Sequence, residues 1–182
     1  MGPRDEPEDD GVYLDKLRGN TLRMDRRLFL LTGAALAACG PNAASASQAQ
    51  FANSPWRKLT DAQWKQRLSP LAYDVLRHGG TERPGSSPLN DEHRRGTFVC
   101  AGCELPLFKS EWKYNADTGW PSFRQVIPGA VGIKGALADS FFGSEYHCAR
   151  CLGHQGHRFH DGPPPTGLRY CNDGVALKFV PA

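Results

Sequence analysis

Four of the six cysteines fall into two Cys-x-x-Cys pairs, and this spacing constrains the fold more than any other feature of the chain. The pairs are Cys100 with Cys103 and Cys148 with Cys151. Two such pairs can supply the tetrahedral shell of four thiolates that Zn²⁺ takes in structural sites, which leaves no open position for catalysis. Because 44 residues separate the pairs, a shared metal ion would join two distant hairpins and close a long loop. We therefore expect a structural zinc ion.

Two other interpretations of the cysteine pairs stay open at this point. Each pair can close a disulfide if the protein is exported to an oxidising compartment. Iron can take the same four ligands as zinc. The two-residue gap within each pair, together with the complete set of four cysteines, favours zinc over both alternatives.

Turn-forming residues dominate the second half of the sequence. The chain contains 20 glycines and 14 prolines, and clean helical periodicity is scarce after about residue 80. These features predict a mainly β domain with many turns. The strand-like segments lie at residues 97–100, 105–108, 126–137, 144–150 and 175–180.

Two short helices are predicted before this β region. Thr60-Asp61-Ala62-Gln63 has the form of a capping box, and the helix that follows it should bury Trp64. Ser69-Pro70 supplies a second N-cap with proline at the first helical position, and that helix should end at Gly79-Gly80. We expect both helices to pack on the outside of a sheet.

The length of the chain suits one compact domain, which we assign to residues 56–182 behind a polar linker at residues 47–55. The net charge of +3 is small, and no dense run of lysine and arginine is present. Nucleic acid is therefore not an expected partner. The sequence also contains no nucleotide, flavin or haem motif.

The first 46 residues are predicted to lie outside this domain. Residues 1–23 are polar and acidic, and we interpret them as a disordered or non-native extension, with Met24 as an alternative start. Residues 24–46 have the form of a signal peptide, because Arg26-Arg27 precedes an apolar run shorter than the roughly 20 residues of a membrane-spanning helix. The arginine pair resembles a twin-arginine signal, although Asp25 precedes it. We expect export to the periplasm or beyond.

Two cleavage sites compete within the predicted signal peptide. Leu36-Ala37-Ala38-Cys39 resembles a lipoprotein box, which would attach the protein to a membrane through an acyl group on Cys39. Ala44-Ser45-Ala46 instead fits the Ala-x-Ala rule of ordinary cleavage. We favour the lipoprotein box slightly. A disordered tail with an accidental apolar stretch is the third interpretation.

Cys171 is the candidate reactive thiol once the paired cysteines are assigned to metal. Arg169 lies two residues earlier and shares its face in a strand, where a positive charge favours the thiolate. His154 and His157 are three residues apart, with Asp161 shortly after, and imidazole is the natural proton donor near neutral pH. In the alternative interpretation, Cys171 is a small buried apolar residue and the histidines lie on the surface or bind metal.

Four segments together resemble the methionine-R-sulfoxide reductase family. The resemblance runs from about residue 56 to residue 180, includes both cysteine pairs and keeps the family's order of motifs. The segments are Thr81-Glu82-Arg83-Pro84, Ser87-Pro88-Leu89-Asn90-Asp91-Glu92-His93-Arg94, Thr118-Gly119-Trp120-Pro121-Ser122-Phe123, and Asp161-Gly162-Pro163-Pro164-Pro165-Thr166-Gly167-Leu168-Arg169-Tyr170-Cys171.

The resemblance implies a fold of two small antiparallel sheets that lean together like a tent, with zinc at one end. It implies that Cys171 is the nucleophile, that Trp120 lines the pocket for the substrate methyl group, and that the R epimer is selected. Attack on the sulfoxide sulfur would release methionine and leave a sulfenic acid, which a reductant must remove.

The remaining site residues receive roles from their chemistry. His154 and His157 would protonate the sulfoxide oxygen, and Phe159 would close the pocket. Asp161 and Arg169 would orient and charge the site. The alternative function is a zinc-knuckle module that holds a ligand between Trp120 and Phe159 without turnover, and a degenerate enzyme is a third hypothesis.

Two departures from the family pattern affect the mechanism. Thr118 stands where many members carry a resolving cysteine, so we expect direct reduction of Cys171 by an external thiol, such as that of a thioredoxin-like protein. Asp173 stands where the family has asparagine. On a strand, its carboxylate would share the face of Cys171, raise the thiol pKa and slow attack, so that Asp173→Asn should increase turnover near neutral pH. Gly85 also replaces a common aromatic residue.

Overall fold

The computed structural model of the protein describes residues 49–134 and 143–182. The predicted extension at 1–23 and the signal peptide at 24–46, including Cys39, lie outside the described residues. Across the two described ranges, no helix has the length and apolar character needed to cross a bilayer. Phe51, in the segment assigned to a linker, lies 5.5 Å from the guanidinium of Arg150.

The two short helices that the capping residues predict are both present before the sheets. Helix α1 is Asp61–Arg67, and the Thr60 side chain accepts from the amide of Gln63 at 3.3 Å while the Gln63 side chain accepts from the amide of Thr60 at 2.8 Å. Helix α2 is Pro70–Tyr73 and continues as a wider turn over Asp74–His78. Gly79, at a φ of 72°, ends that turn.

In residues 49–134 and 143–182, nine strands form two antiparallel sheets, which confirms the predicted fold class. A three-stranded sheet has the order β2-β1-β9, and a six-stranded sheet has the order β3-β4-β8-β7-β6-β5. The strands are β1 (Gly96–Cys100), β2 (Pro106–Lys109), β3 (Lys113–Tyr114), β4 (Ser122–Phe123), β5 (Val131–Ile133), β6 (Ser144–Cys148), β7 (His154–Phe159), β8 (Arg169–Asn172) and β9 (Leu177–Pro181).

The predicted strand boundaries need three corrections. The segment 126–137 was too long, because a turn at Pro128-Gly129 delays the strand until Val131, and residues 135–142 lie outside the described part of the chain. The strand predicted from residue 144 ends at Cys148, because Ala149 and Arg150 belong to the second cysteine turn. The segment predicted from residue 175 begins with a 3-10 turn and becomes extended only at Leu177.

Aromatic side chains from both sheets form the core between them. Phe108 of the three-stranded sheet stacks on Phe123 of the six-stranded sheet, with ring centroids 4.1 Å apart. Phe98 and Phe123 pack edge to face with ring centroids 5.0 Å apart, and Tyr146 and Tyr170 do so with ring centroids 5.4 Å apart. These rings occupy one face of the six-stranded sheet, so its opposite face is available for a site.

The Trp64 side chain should account for much of the attachment of α1 to the β domain. Trp64 is only 2% exposed and lies beside the first cysteine turn, where a Cβ added at Gly102 would lie 3.3 Å from the indole. Trp64→Ala should lower the free energy of unfolding by about 3–5 kcal/mol, because a large cavity would remain. Chemical denaturation measures the change. Trp112→Ala is the matched control, since Trp112 is only half-buried, and equal losses in both variants would contradict this assignment.

Candidate active site and metal centre

The four paired cysteines meet in one buried cluster that could hold a metal ion. Their sulfur atoms all lie within 4.8 Å of one another. The sulfur of Cys100 is 3.6 Å from that of Cys151, and the sulfur of Cys103 is 3.5 Å from that of Cys148. All four are free thiols, so the disulfide interpretation is wrong. Cys100 ends β1 and Cys148 ends β6, and the cluster therefore joins the two sheets.

The two cysteine turns have the same local structure. In each, the amide that follows the second cysteine donates to the carbonyl of the first, from Glu104 to Cys100 and from Leu152 to Cys148, at 2.8 and 2.9 Å. Glu104 and Leu152 both adopt the left-handed conformation, at φ of 62° and 61°. This repeated conformation turns both thiols of each pair toward one point.

Two nitrogen donors contact the sulfur atoms of the cluster. The amide of Gly153 donates to the sulfur of Cys151, and the side chain of Gln155 donates to the sulfur of Cys100, both at 3.4 Å. Hydrogen bonds with the neighbouring thiols, Cys103 first, and then burial raise the pKa of Cys100. A bound cation is therefore needed to hold all four cysteines as thiolates.

Cys171 lies in a row of polar side chains that crosses five strands of the larger sheet. Tyr114 on β3 is opposite Ser122 on β4, and Ser122 is opposite Cys171 on β8. Cys171 is in turn opposite His157 on β7, and His157 is opposite Glu145 on β6. Because directly opposed residues of antiparallel strands share a face, all five side chains lie on the face away from the core.

Arg169 lies on the same face as Cys171, as its spacing predicts. It pairs across the sheet with Phe159, and its guanidinium lies 4.2 Å from the centre of that ring. Asp161 fixes the guanidinium with two hydrogen bonds, of 2.8 and 2.7 Å. The positive charge of Arg169 lowers the pKa of Cys171, although burial, the larger influence, leaves that pKa above its ordinary value.

Cys171 opens onto a mostly apolar cavity of about 170 Å³. The indole nitrogen of Trp120 donates to the carbonyl of Glu82 at 3.1 Å, which fixes one wall. Gly156 is required at another wall, because a Cβ there would lie 2.0 Å from the carbonyl oxygen of Cys171. The lining residues are Thr81, Trp120, Gly156, His157, Phe159, Cys171, Asn172 and Asp173.

The two predicted histidines have different surroundings. His157 lines the cavity with Cys171, whereas His154 does not and is buried beside Glu145, whose carboxylate lies 2.9 Å from Nδ1. The two imidazole rings are 5.5 Å apart. Burial, followed by the charge of His154, lowers the pKa of His157. Burial opposes the charged form of His154 as well, but the carboxylates of Asp173 and Glu145 raise its pKa.

Asp173 does not lie on a strand, because β8 ends at Asn172, and that part of the sequence-based argument is wrong. Its carboxylate accepts from the amide of Glu82 at 3.0 Å, and its own amide donates to the carbonyl of Gln155 at 2.8 Å. Asp173 nevertheless lines the cavity. Its charge raises the pKa of Cys171, but less than burial does, and Arg169 and Thr118 lower that pKa.

Sequence reasoning missed Glu82 and Glu145 as site residues. The buried carboxylate of Glu82 accepts from the amides of Gly174 and Val175, directly after the segment that carries Cys171. Burial raises the pKa of Glu82, and these two hydrogen bonds oppose the rise. Glu82 belongs to a recognised motif and could have been noticed. Glu145 has no such signal, because only strand register brings it to His154 and His157.

Comparisons with known proteins agree with this site. A model of the SelR domain matches residues 68–181. Three similar proteins are all named peptide methionine sulfoxide reductase MsrB. The first, from Agrobacterium fabrum, is 46% identical over 129 residues, which cover 70% of this chain and 96% of the relative. The second, from Bradyrhizobium diazoefficiens, is 46% identical over 123 residues, which cover 67% of this chain and 88% of the relative. The third, from Thioalkalivibrio sulfidiphilus, is 44% identical over 126 residues, which cover 69% of this chain and 92% of the relative.

The matched region includes both cysteine turns and Cys171, together with every residue that lines the cavity. The model matches more than half of the chain, and the relatives are matched over nearly their whole length. The chain therefore belongs to the SelR-domain family of methionine sulfoxide reductases.

Proposed function

We propose that this protein reduces the R-sulfoxide of methionine in proteins or peptides, with Cys171 as the nucleophile. The observation that carries the proposal is the placement of Cys171 opposite His157, in an apolar cavity that Trp120 and Phe159 also line. The names of the related proteins point to the same reaction. No observation favours the binding-module alternative, which leaves this thiol unused.

The cavity suits the two ends of a methyl sulfoxide. Trp120 and Phe159 offer apolar surface to the methyl group, and the bond from the Trp120 indole to Glu82 holds that surface in place. His157 supplies a polar group for the sulfoxide oxygen. A cavity of about 170 Å³ is small, so it admits the end of the side chain while the rest of the substrate remains outside.

His157 is placed to move one proton through the reaction. Its lowered pKa leaves it neutral at rest, so it can take the proton of the Cys171 thiol directly opposite. The thiolate then attacks the sulfoxide sulfur, and the imidazolium returns the proton to the sulfoxide oxygen. As the S–O bond of the substrate breaks, the oxygen passes to Cys171 as a sulfenic acid. Methionine is reduced, Cys171 is oxidised, and the thiol hydrogen ends on the sulfenic oxygen.

Arg169 and Asp161 support this step without carrying the proton. The guanidinium, held by Asp161 in a two-point contact and stacked on Phe159, places a fixed positive charge on the face that carries Cys171. That charge favours the thiolate when the proton leaves. It also orders the aromatic wall of the cavity, because Phe159 packs against it.

The bound metal in this proposal is Zn²⁺, held by Cys100, Cys103, Cys148 and Cys151. Four buried sulfur donors within 4.8 Å of one another match the donor set of a structural zinc site. With all four positions filled by protein ligands, the ion supplies cohesion rather than chemistry. It links the turn after β1 to the turn after β6, on which the site-bearing sheet depends.

An external thiol completes the cycle in this proposal. Cys171 is the only cysteine of the described ranges outside the metal cluster, and Thr118 occupies the family position of a resolving cysteine. A thiol, such as that of a thioredoxin-like protein, attacks the sulfenic sulfur and releases water. A second thiol then breaks the mixed disulfide and regenerates Cys171.

Export is a further part of the proposal, and it rests on sequence alone. Arg26-Arg27 and the short apolar run after them support passage to the periplasm or beyond. Attachment to a membrane depends on acylation of Cys39, with cleavage after Ala46 as the alternative. The substrates would then be oxidised methionines of exported proteins.

Zinc content should depend on the paired cysteines and not on Cys171. We expect about one zinc ion per chain in the natural protein and in Cys171→Ser, as a four-thiolate site requires. Cys148→Ser should lose the ion and melt at a lower temperature, because the link between the sheets is broken. Elemental analysis and thermal denaturation measure both quantities. Full zinc occupancy in Cys148→Ser would contradict the assignment.

Activity should be specific for one epimer and should require Cys171. With dithiothreitol as reductant, the full-length protein should reduce a peptide that contains the R-sulfoxide and leave the S-sulfoxide unchanged, as chromatography of the peptides would show. Cys171→Ser should reduce turnover at least about a thousandfold, because the nucleophile is lost. If the folded, zinc-loaded protein reduces neither epimer, the repair function is wrong and a binding module becomes the better hypothesis.

A single turnover should leave the oxygen on Cys171. Without reductant, we expect about one methionine per chain and a sulfenic acid at Cys171, because no resolving thiol stands at position 118. Mass spectrometry after trapping with a sulfenic-acid reagent measures both products. Thr118→Cys is the informative comparison, since it should convert the trapped species to an internal disulfide. A disulfide to Cys171 in the natural protein would refute direct reduction.

A further inference from the structure

We propose that Asp173 and Glu145 hold His154 as an imidazolium, whose charge keeps His157 neutral at rest and makes protonated His157 a stronger acid. This inference rests on the proposed function, in which His157 moves the proton. His154, Asp173 and Glu145 act in it as positioning residues, because their effect reaches the substrate through His157.

The two carboxylates approach opposite nitrogens of one buried ring. Glu145 on β6 places Oε1 2.9 Å from Nδ1 of His154, and Asp173, just after β8, places Oδ2 3.7 Å from Nε2. The side chains of His154 and Asp173 are 5% and 4% exposed, so solvent screens this contact weakly. Within the described residues, Nε2 is buried and has no hydrogen-bond partner.

The chemistry of imidazole makes the charged form the best fit to this arrangement. A neutral ring has one N–H and one lone pair, so each tautomer turns its lone pair toward a carboxylate. With the proton on Nδ1, the lone pair faces Asp173 at 3.7 Å, and with the proton on Nε2, it faces Glu145 at 2.9 Å. Only the imidazolium presents an N–H to both acids.

The other charged and titratable groups around His154 do not cancel the two carboxylates. His147 on β6 and His157 on β7 are its imidazole neighbours, while Arg77, His78 and Lys134 share a polar cavity with it. Lys134 is more than half exposed and makes its own ion pair with Glu145, at 2.6 Å. Burial alone would lower the pKa of His154, and the contacts with Asp173 and Glu145 turn the shift upward.

The backbone holds Asp173 in position for this role. Its carboxylate accepts from the amide of Glu82, and its own amide donates to the carbonyl of Gln155, the residue after His154. An asparagine at position 173 could make the same backbone contacts but would carry no charge. The departure from the family pattern therefore adds a negative charge beside His154, and this charge favours the imidazolium.

The charge on His154 acts on His157 through space. With the rings 5.5 Å apart, a positive charge on one disfavours a second on the other. Neutral His157 can accept the thiol proton, and once protonated it gives that proton up more readily to the weakly basic sulfoxide oxygen. A histidine with a raised pKa is charged below that pKa and loses its charge as pH rises through it. The proton donor should therefore weaken on the alkaline side.

Asp173→Asn in the full-length, zinc-loaded protein tests the proposal. We expect the pKa of His154, followed by NMR of its imidazole, to fall by at least about one unit. The alkaline limb of kcat/KM for the R-sulfoxide peptide should move to lower pH by a similar amount, and turnover near neutral pH should fall. Glu145→Gln should shift both quantities in the same direction, and it serves as the second variant if Asp173→Asn does not fold.

Glu111→Gln is the matched control, because it removes an exposed carboxylate that pairs with Lys109 outside the site. It should change neither the titration of His154 nor the pH profile. An unchanged His154 titration in Asp173→Asn and Glu145→Gln would overturn the proposal. So would faster turnover near neutral pH with a lower pKa of Cys171, which the sequence-based interpretation of Asp173 expects. The titration needs no substrate, so it remains informative even if the proposed reaction fails.

Discussion

The pairing of β7 with β6 on one side and β8 on the other is the constraint on which the site depends. This strand carries both histidines, Gly156 and Phe159 within six residues. Its register with β8 sets His157 against Cys171, and its register with β6 sets Glu145 against His157. Because Gly156 removes the side chain at the point of closest approach, the two backbones can pair without displacing Cys171.

The cluster of four cysteines, which could hold a metal ion, joins the two sheets that frame this pairing. Cys100 and Cys148 end strands of different sheets, and their turns have the same conformation. The buried aromatic rings between the sheets then provide apolar packing over the rest of the interface. In a small domain with many loops, a metal ion held by this cluster would replace part of the stability that a larger core provides.

The sequence was most informative where chemistry depends on spacing along the chain. The four metal-site cysteines and the capped helices follow from local patterns, and the confirmed family resemblance pointed to Cys171 and Trp120. Strand β7 was missed because His-Gln-Gly-His-Arg-Phe has little apolar character and becomes extended by pairing on both sides. The contact of Asp173 with His154 was missed for a related reason. It depends on how β8 ends and on which residues lie across the sheet, and no local pattern encodes that information.

Glu82 shows how few contacts connect the wall of the cavity to the segment that carries Cys171. Its carbonyl accepts a hydrogen bond from the indole of Trp120, and its amide donates to the carboxylate of Asp173. Its own carboxylate accepts from the amides of Gly174 and Val175. The tryptophan and the segment that follows Cys171 are thus both hydrogen-bonded to the same residue, so a shift of one should move the other. A displacement of the indole by an oversized side chain would be transmitted through Glu82 to the backbone beside the thiol. Selection by size and alignment of the reacting atoms are therefore not independent properties of this site.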